Sequence, residues 1–208
     1  MSVDDPGRPN EPAVLDPAKI RWATEVSAQW WRNSHKMAPS PCVFTDATGR
    51  FSAPGLPNKV LYLGANPVAC FWESGLGRDL NSRMPDDLNI AQSDLESRLE
   101  YGVQLNPTGL KIFNATDSAA RRSIGARTSG CFSADHKVAR NWSKALMDAG
   151  ADGLLYESTR QSPGLCLALF ETPATQNALG PIRKIGSAYE DAPLLASLLA
   201  ENVAIIGS

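Results

Sequence analysis

Histidine and closely spaced cysteine pairs are what this chain has least of. Only two histidines, His35 and His136, occur in its 208 residues, and they lie far apart. The four cysteines, Cys42, Cys70, Cys131 and Cys166, form no C-x-x-C pair. A zinc centre would need a scattered ligand set, so no metal site is expected. Each cysteine lies in or near an apolar run, which reads as a small buried side chain rather than a ligand or a bridge. No apolar run approaches the length of a membrane span. The N-terminus, MSVDDPGRPNEPAVLDP, lacks the basic start and apolar core of a signal peptide. The expected compartment is the reducing cytoplasm. A basic excess is missing too: the net charge is -2, which argues against general nucleic-acid binding but leaves room for a local basic pocket that takes a phosphate-bearing small molecule. The chain has no P-loop, no G-x-G-x-x-G, no G-x-S-x-G and no H-E-x-x-H.

The length suits a single domain. Residues 1–16 are acidic and proline-rich with little to bury, and read as a mobile N-terminal arm before a single domain over 17–208. Asp16-Pro17 predicts a helix start, followed by KIRWATEVSAQWWR with Ile20, Ala23, Trp30 and Trp31 on a partly apolar face. Trp22, Trp30 and Trp31 read as packing residues. Pro39 and Pro41 break any helix, and Cys42–Phe44 reads as a short strand. Residues 59–64 make a compact apolar strand, and Asn66-Pro67 cap a helix through VACFWESG. Residues 77–107 are mixed, with a short helix near 90–96 and a strand near 99–106. Further strands are predicted at 110–114, 153–158 and 165–170, the last two as a hairpin. An amphipathic helix is predicted over Ser133–Ala149, ended by Gly150, and an apolar helix over Pro193–Ala200. Strands and helices alternate without a regular βαβ pattern, which indicates an α+β fold.

Three polar groups stand on the frame Arg50–Glu73 without being needed to build it. Arg50 comes after Gly49 in a Gly- and Pro-rich turn; it reads as a solvated arginine or as a fixed fork for phosphate or carboxylate. Tyr62 shares a strand face with Val60, opposite Leu61 and Leu63, as a core ring or as a platform for an aromatic ligand. Glu73 comes after Cys70, Phe71 and Trp72, a place where an unpaired carboxylate is costly to bury, so it either points outward or has a purpose. Ser158 and Arg160 end a later strand, a common home for binding groups and for ordinary turns alike.

Four segments in order carry a family resemblance. WRNSHKMAPSPCVF, GRFSAPG with VLYLGANPVACFWES, LKIFNATDSAARRSIG, and WSKALMDAGADGLLYESTRQSPGLCLALF resemble the RES domain family, named for an arginine, a glutamate and a serine. The likeness spans roughly residues 30–172 and is most specific in its last segment, where D-G, S-x-R and G-x-x-L-x-L-F occur together. The chain departs from the pattern in GRF for the commoner GRW, in E-S before Thr159, in a long stretch between Glu73 and Leu110, and in the extra arm before Trp30.

The resemblance implies an ADP-ribosyltransferase-like split β-sheet with surrounding helices. It implies a bacterial toxin of a type II toxin–antitoxin pair that degrades NAD+ by cleaving the nicotinamide–ribose bond, as a glycohydrolase or phosphorylase. NAD+ is then a substrate rather than a cofactor, and phosphate a co-substrate where water is not the acceptor. The implied catalytic residues are Arg50, Tyr62, Glu73 and Ser158, with Arg32 and Arg160 binding substrate. In those roles Glu73 stabilises the charged ribose, Arg50 holds the pyrophosphate, Tyr62 stacks on nicotinamide and Ser158 bonds the carboxamide or ribose. The implied partner is a helix-turn-helix (Xre-type) antitoxin, alone or in a larger oligomer, with no direct nucleic acid and no membrane. Two other readings stay open here: a mono-ADP-ribosyltransferase acting on a protein, and a non-catalytic NAD-binding module. The NAD+-cleaving reading requires Arg50, Tyr62, Glu73 and Ser158 to line one cleft.

Overall fold

The helix expected after Asp16-Pro17 does not form. In the computed structural model, which describes residues 9–57, 59–82, 88–132, 136–158 and 164–207, Asp16 closes only a turn. Its Oδ1 accepts from the Ala18 amide at 3.0 Å and its carbonyl from the Lys19 amide at 3.0 Å. The capping contact is made, but the chain beyond it runs extended. The Ala23 amide donates to the Ile112 carbonyl at 2.7 Å, and Trp22 bridges to Phe113. Gln29–His35 is strand β1, paired along its whole length with a later strand. Cross-strand pairing outweighs the weak helical preference of this stretch. The expected strand at Cys42–Phe44 reduces to one bridge, between Thr45 and Val60.

Strands β2 (Val60–Gly64), β4 (Arg98–Leu105), β5 (Ile112–Asn114), β6 (Gly153–Glu157), β7 (Leu165–Phe170) and β8 (Leu179–Ser187) join β1 in one sheet, ordered β5-β6-β7-β2-β1-β4-β8. Only β5–β6 is parallel within it. At its centre, β1 and β2 share a single register pair, Trp31 with Gly64, whereas β2 meets β7 from Val60 to Gly64. The sheet is therefore split into two halves joined at one point. A separate parallel pair is made by β3 (Asn89–Ala91) and β9 (Ala204–Ile206). The helices are α1 (Pro67–Glu73), α2 (Gly75–Ser82), α3 (Gln92–Glu96), α4 (Ser118–Ser123), α5 (His136–Asp148), α6 (Pro173–Ala178) and α7 (Ala192–Ala200). This is the mixed α+β, split-sheet architecture expected. Among the described residues no helix is long and apolar enough to cross a membrane.

Alternation along β2 divides the core as its sequence predicts. Val60 and Tyr62 face α5 with Phe51, Trp142 and Tyr156, while Leu61 and Leu63 face Trp30, Val103 and Leu167. A third cluster joins Phe71 and Trp72 of α1 to Leu194 and Leu198 of α7. Gly64 lets α1 sit directly on the end of β2: a Cβ there would lie 2.7 Å from the Cys70 Cα. Residues 9–16, read from composition as part of a mobile arm, make specific contacts. Asn10 donates through Nδ2 to the Gly125 carbonyl at 3.0 Å and accepts at Oδ1 from the Arg127 amide at 2.9 Å. Its carbonyl accepts from the Trp142 indole at 2.7 Å.

On β4, Glu100 opposes Asn33 of β1 and is only 2% exposed. Burial, and then the neighbouring Asp191 carboxylate, push its carboxyl up to about 8. A carboxyl raised by folding stabilises the fold in its protonated form. That contribution is complete below the ordinary value of 4.5 and is lost as pH rises through about 8. Thermal unfolding across that range should show the melting temperature falling more steeply for the wild type than for Glu100→Gln; parallel curves would refute this.

Candidate functional site

The site begins with the cap of α1. Asn66 accepts at Oδ1 from the Ala69 amide at 2.8 Å, Pro67 sets the first turn, and Val68 to Glu73 are all buried. Glu73 therefore enters the interior rather than solvent, and it is only 9% exposed. A carboxylate in that position needs partners on both oxygens. Arg50 Nη2 lies 3.3 Å from Oε1, and the Tyr156 hydroxyl donates to Oε2 at 3.1 Å. Arg50 also donates through Nη1 to the Glu157 carbonyl at 3.3 Å, and its guanidinium stands 5.1 Å from the Tyr156 ring centre.

The turn that carries Arg50 is pinned from three sides. Arg140 of α5 donates to the Gly49 carbonyl at 3.2 Å, and Ser143 of α5 donates to the Phe51 carbonyl at 3.1 Å. The Phe51 amide donates to the Tyr62 hydroxyl at 3.0 Å, and Ser52 Oγ lies 3.1 Å from the same hydroxyl. Burial, with Glu73 next in effect, pushes the Tyr156 phenol well above its ordinary value, so it remains a hydrogen-bond donor. The thiols nearby are equally unreactive. Burial pushes Cys70 up to about 12 and Cys42 to about 11, which keeps them protonated and poorly nucleophilic.

Arg32 of β1 reaches across the split, donating through Nη1 to the Tyr62 carbonyl at 2.9 Å and through Nε to the Pro41 carbonyl at 3.1 Å. Beside it, the Asn33 amide donates to Cys70 Sγ at 2.9 Å. These contacts border a cavity of about 230 Å³ lined by Arg32, Asn33, Tyr62, Glu73 and Arg98 among others. A second cavity, of about 370 Å³, is lined by Thr116, Arg121, Ser129, Tyr156 and Ser158 among others. The second is within the range of small-ligand sites, and the first is smaller.

The structure thus brings Arg50 against Glu73 and sets Arg32, Tyr62 and Glu73 around one cavity. Ser158, buried, lines the neighbouring one, its amide held by the Gly164 carbonyl at 2.7 Å. Tyr62 and Glu73 thus line one cavity and Ser158 a second, with Arg50 buried between the Glu73 carboxylate and the Glu157 carbonyl. Tyr156 joins them, since it lines the second and bonds the carboxylate of the first. Arg160 lies outside the described residues. Sequence reasoning passed over Tyr156, Ser52, Arg98 and Arg121. Alternation along GLLYES places Tyr156 on the same strand face as Leu154 and Ser158 and was the available signal; the other three carry none.

A family model described as the RES domain matches residues 18–188. Among solved structures, a chain from the crystal structure of the M. tuberculosis MbcT–MbcA toxin–antitoxin complex superposes with a TM-score of 0.56 at 15% identity. The match covers 92% of this chain and 98% of that one, and at this identity it is a likeness of fold. No curated protein matches. The Tyr156–Glu73 bond makes a checkable demand. Tyr156→Phe removes a donor to a buried carboxylate and should cost about 2 kcal/mol, read as a lower urea midpoint with an unchanged slope; an unaltered midpoint would contradict the bond.

Proposed function

This chain belongs to the RES domain family, and on that ground we propose that it consumes NAD+ by cleaving the nicotinamide–ribose bond. The observation that carries the reading is the buried Glu73 carboxylate, fixed by Arg50 and Tyr156 at the edge of a cavity that Arg32 and Tyr62 also line. In this reaction the electron pair of the C1′–N bond leaves with the pyridinium ring, which departs as neutral nicotinamide. The leaving group needs no proton. What the protein must supply is negative charge beside the ribose as positive charge develops there, as in glycoside cleavage. A carboxylate that is already oriented does this without reorganising during the reaction. Water or phosphate then adds to C1′ and loses its proton, giving ADP-ribose or its phosphate.

The other residues divide the remaining work. Arg50 is buried against Glu73, which favours a role in holding the carboxylate over the pyrophosphate contact that the family resemblance implies. Tyr62 spends its hydroxyl on the Arg50 turn and keeps a ring edge on the Glu73 cavity, where it flanks the nicotinamide or ribose. Ser158 lies just beyond the strand that carries Tyr156 and takes the carboxamide from the second cavity. Membership of the family and the fold shared with a chain of a toxin–antitoxin complex support a toxin role and an antitoxin partner; that this partner carries a helix-turn-helix domain is part of the proposal.

Purified protein, stripped of any co-purifying partner, should release nicotinamide from NAD+ in a chromatographic assay. Glu73→Gln keeps shape and most contacts and should lower kcat about a thousandfold. No NAD+ loss with folded wild-type protein would sink the proposal. Label carried from NAD+ into a protein band, with no free ADP-ribose or its phosphate, would replace it with protein ADP-ribosylation.

A further inference from the structure

The cavity that Glu73 borders has a second feature, independent of the carboxylate. Arg98, at the start of β4 and directly opposite His35 of β1, lines it together with Arg32. Among the described residues the Arg98 guanidinium makes no hydrogen bond or ion pair. Arg32 spends its donors on the neutral carbonyls of Pro41 and Tyr62, so its charge also stays uncompensated. The acids in the neighbourhood do not cancel the pair. Glu73 is held by Arg50 and Tyr156, Asp94 acts on Arg98 only through space, and Glu100 stays largely protonated under the influence of burial and Asp191. Asn33 lines the same cavity, 3% exposed, with both Nδ2 and Oδ1 buried and unpartnered.

Each of these is unfavourable on its own. Two guanidiniums in one small cavity repel, and a buried amide without a partner has lost its hydrogen bonds to water with nothing in return. A single ligand relieves both. A phosphate group offers several acceptor oxygens and negative charge, matches the arginine fork, and accepts from Asn33 Nδ2. We propose that Arg98, Arg32 and Asn33 form a phosphate-recognition subsite beside Glu73, a role that has Arg98 rather than Arg50 meet the anion. The chemistry fits two sources, the diphosphate of the dinucleotide and free inorganic phosphate. The identity of the natural ligand rests on the NAD+ reading above; the subsite itself does not.

Calorimetric titration of inorganic phosphate and, separately, of ADP-ribose into the full chain tests this without requiring turnover. At least one should bind, and Arg98→Ala should weaken it about tenfold or more, with Asn33→Ala weakening it several-fold. Arg183→Ala, on the exposed edge strand β8, should leave it unchanged. Loss confined to ADP-ribose assigns the subsite to the dinucleotide, and loss confined to phosphate assigns it to the acceptor. If neither anion binds the wild type, or if folded Arg98→Ala and Asn33→Ala proteins bind as tightly as it does, the subsite is refuted. Wild-type protein that binds the anion through Arg98 yet leaves NAD+ intact would overturn the proposed activity and keep the subsite.

Discussion

The structure depends on one broken seam. Among the described residues, strands β1 and β2 pair in register only at Trp31 and Gly64, so the backbone groups along the seam need other partners. They find them locally. Val60 exchanges both bonds with Thr45, at 2.9 and 3.0 Å. The Tyr62 carbonyl takes Arg32, and the Asn33 amide takes Cys70 Sγ. Arg32, Asn33, Thr45 and Tyr62 also line the Glu73 cavity, so the groups that close the seam are the groups that shape the site. The seam can stay open because Arg32 spans it, and α1 can enter it because Gly64 has no side chain to keep Cys70 away.

Once α1 lies in the seam, its last residue must be accommodated inside the protein. A buried ion pair does not by itself make a fold more stable than an apolar replacement, because removing both charges from water costs as much as their attraction returns. The Arg50–Glu73 pair is better understood as positional. Arg50 is fixed by a turn that Arg140, Ser143 and Tyr62 hold, and Tyr156 takes the other carboxylate oxygen. The carboxylate is left little freedom to turn. That rigidity is costly to assemble and is what a charge-stabilising group requires.

Much of this was legible in the chain, and the reason differs by element. β2, α1, α5 and the β6–β7 hairpin each carry a local signal: alternation, an Asn-Pro cap, a 3.6-residue period, turn residues between apolar runs. β1 was hidden because Asp16-Pro17 presents a true capping contact, and only long-range pairing, first with β5 and then with β4, keeps the chain beyond it extended. The β3–β9 pair joins positions far apart in sequence and leaves no local mark. At the site, Glu73 was conspicuous as a carboxylate among Cys70, Phe71 and Trp72. Arg98 was invisible, being one charge in a mixed polar stretch whose meaning depends on lying across from His35.

The two cavities arise from the same geometry. Tyr62 and Tyr156 stand on strands separated by β7, and both belong to the layer that packs against α5. The two hydroxyls have opposite duties: one holds the turn that carries Arg50, the other holds the carboxylate that Arg50 meets. Glu73 and its two partners thus form a partition, with cationic groups on the β1–β4 side and Ser158 on the β6 side. On the proposed reading a dinucleotide lies across that partition, its phosphates with Arg32 and Arg98 and its neutral leaving group toward Ser158. The bond that breaks is then the one held over Glu73, and the charge asymmetry of the two sides fixes which way round the substrate enters.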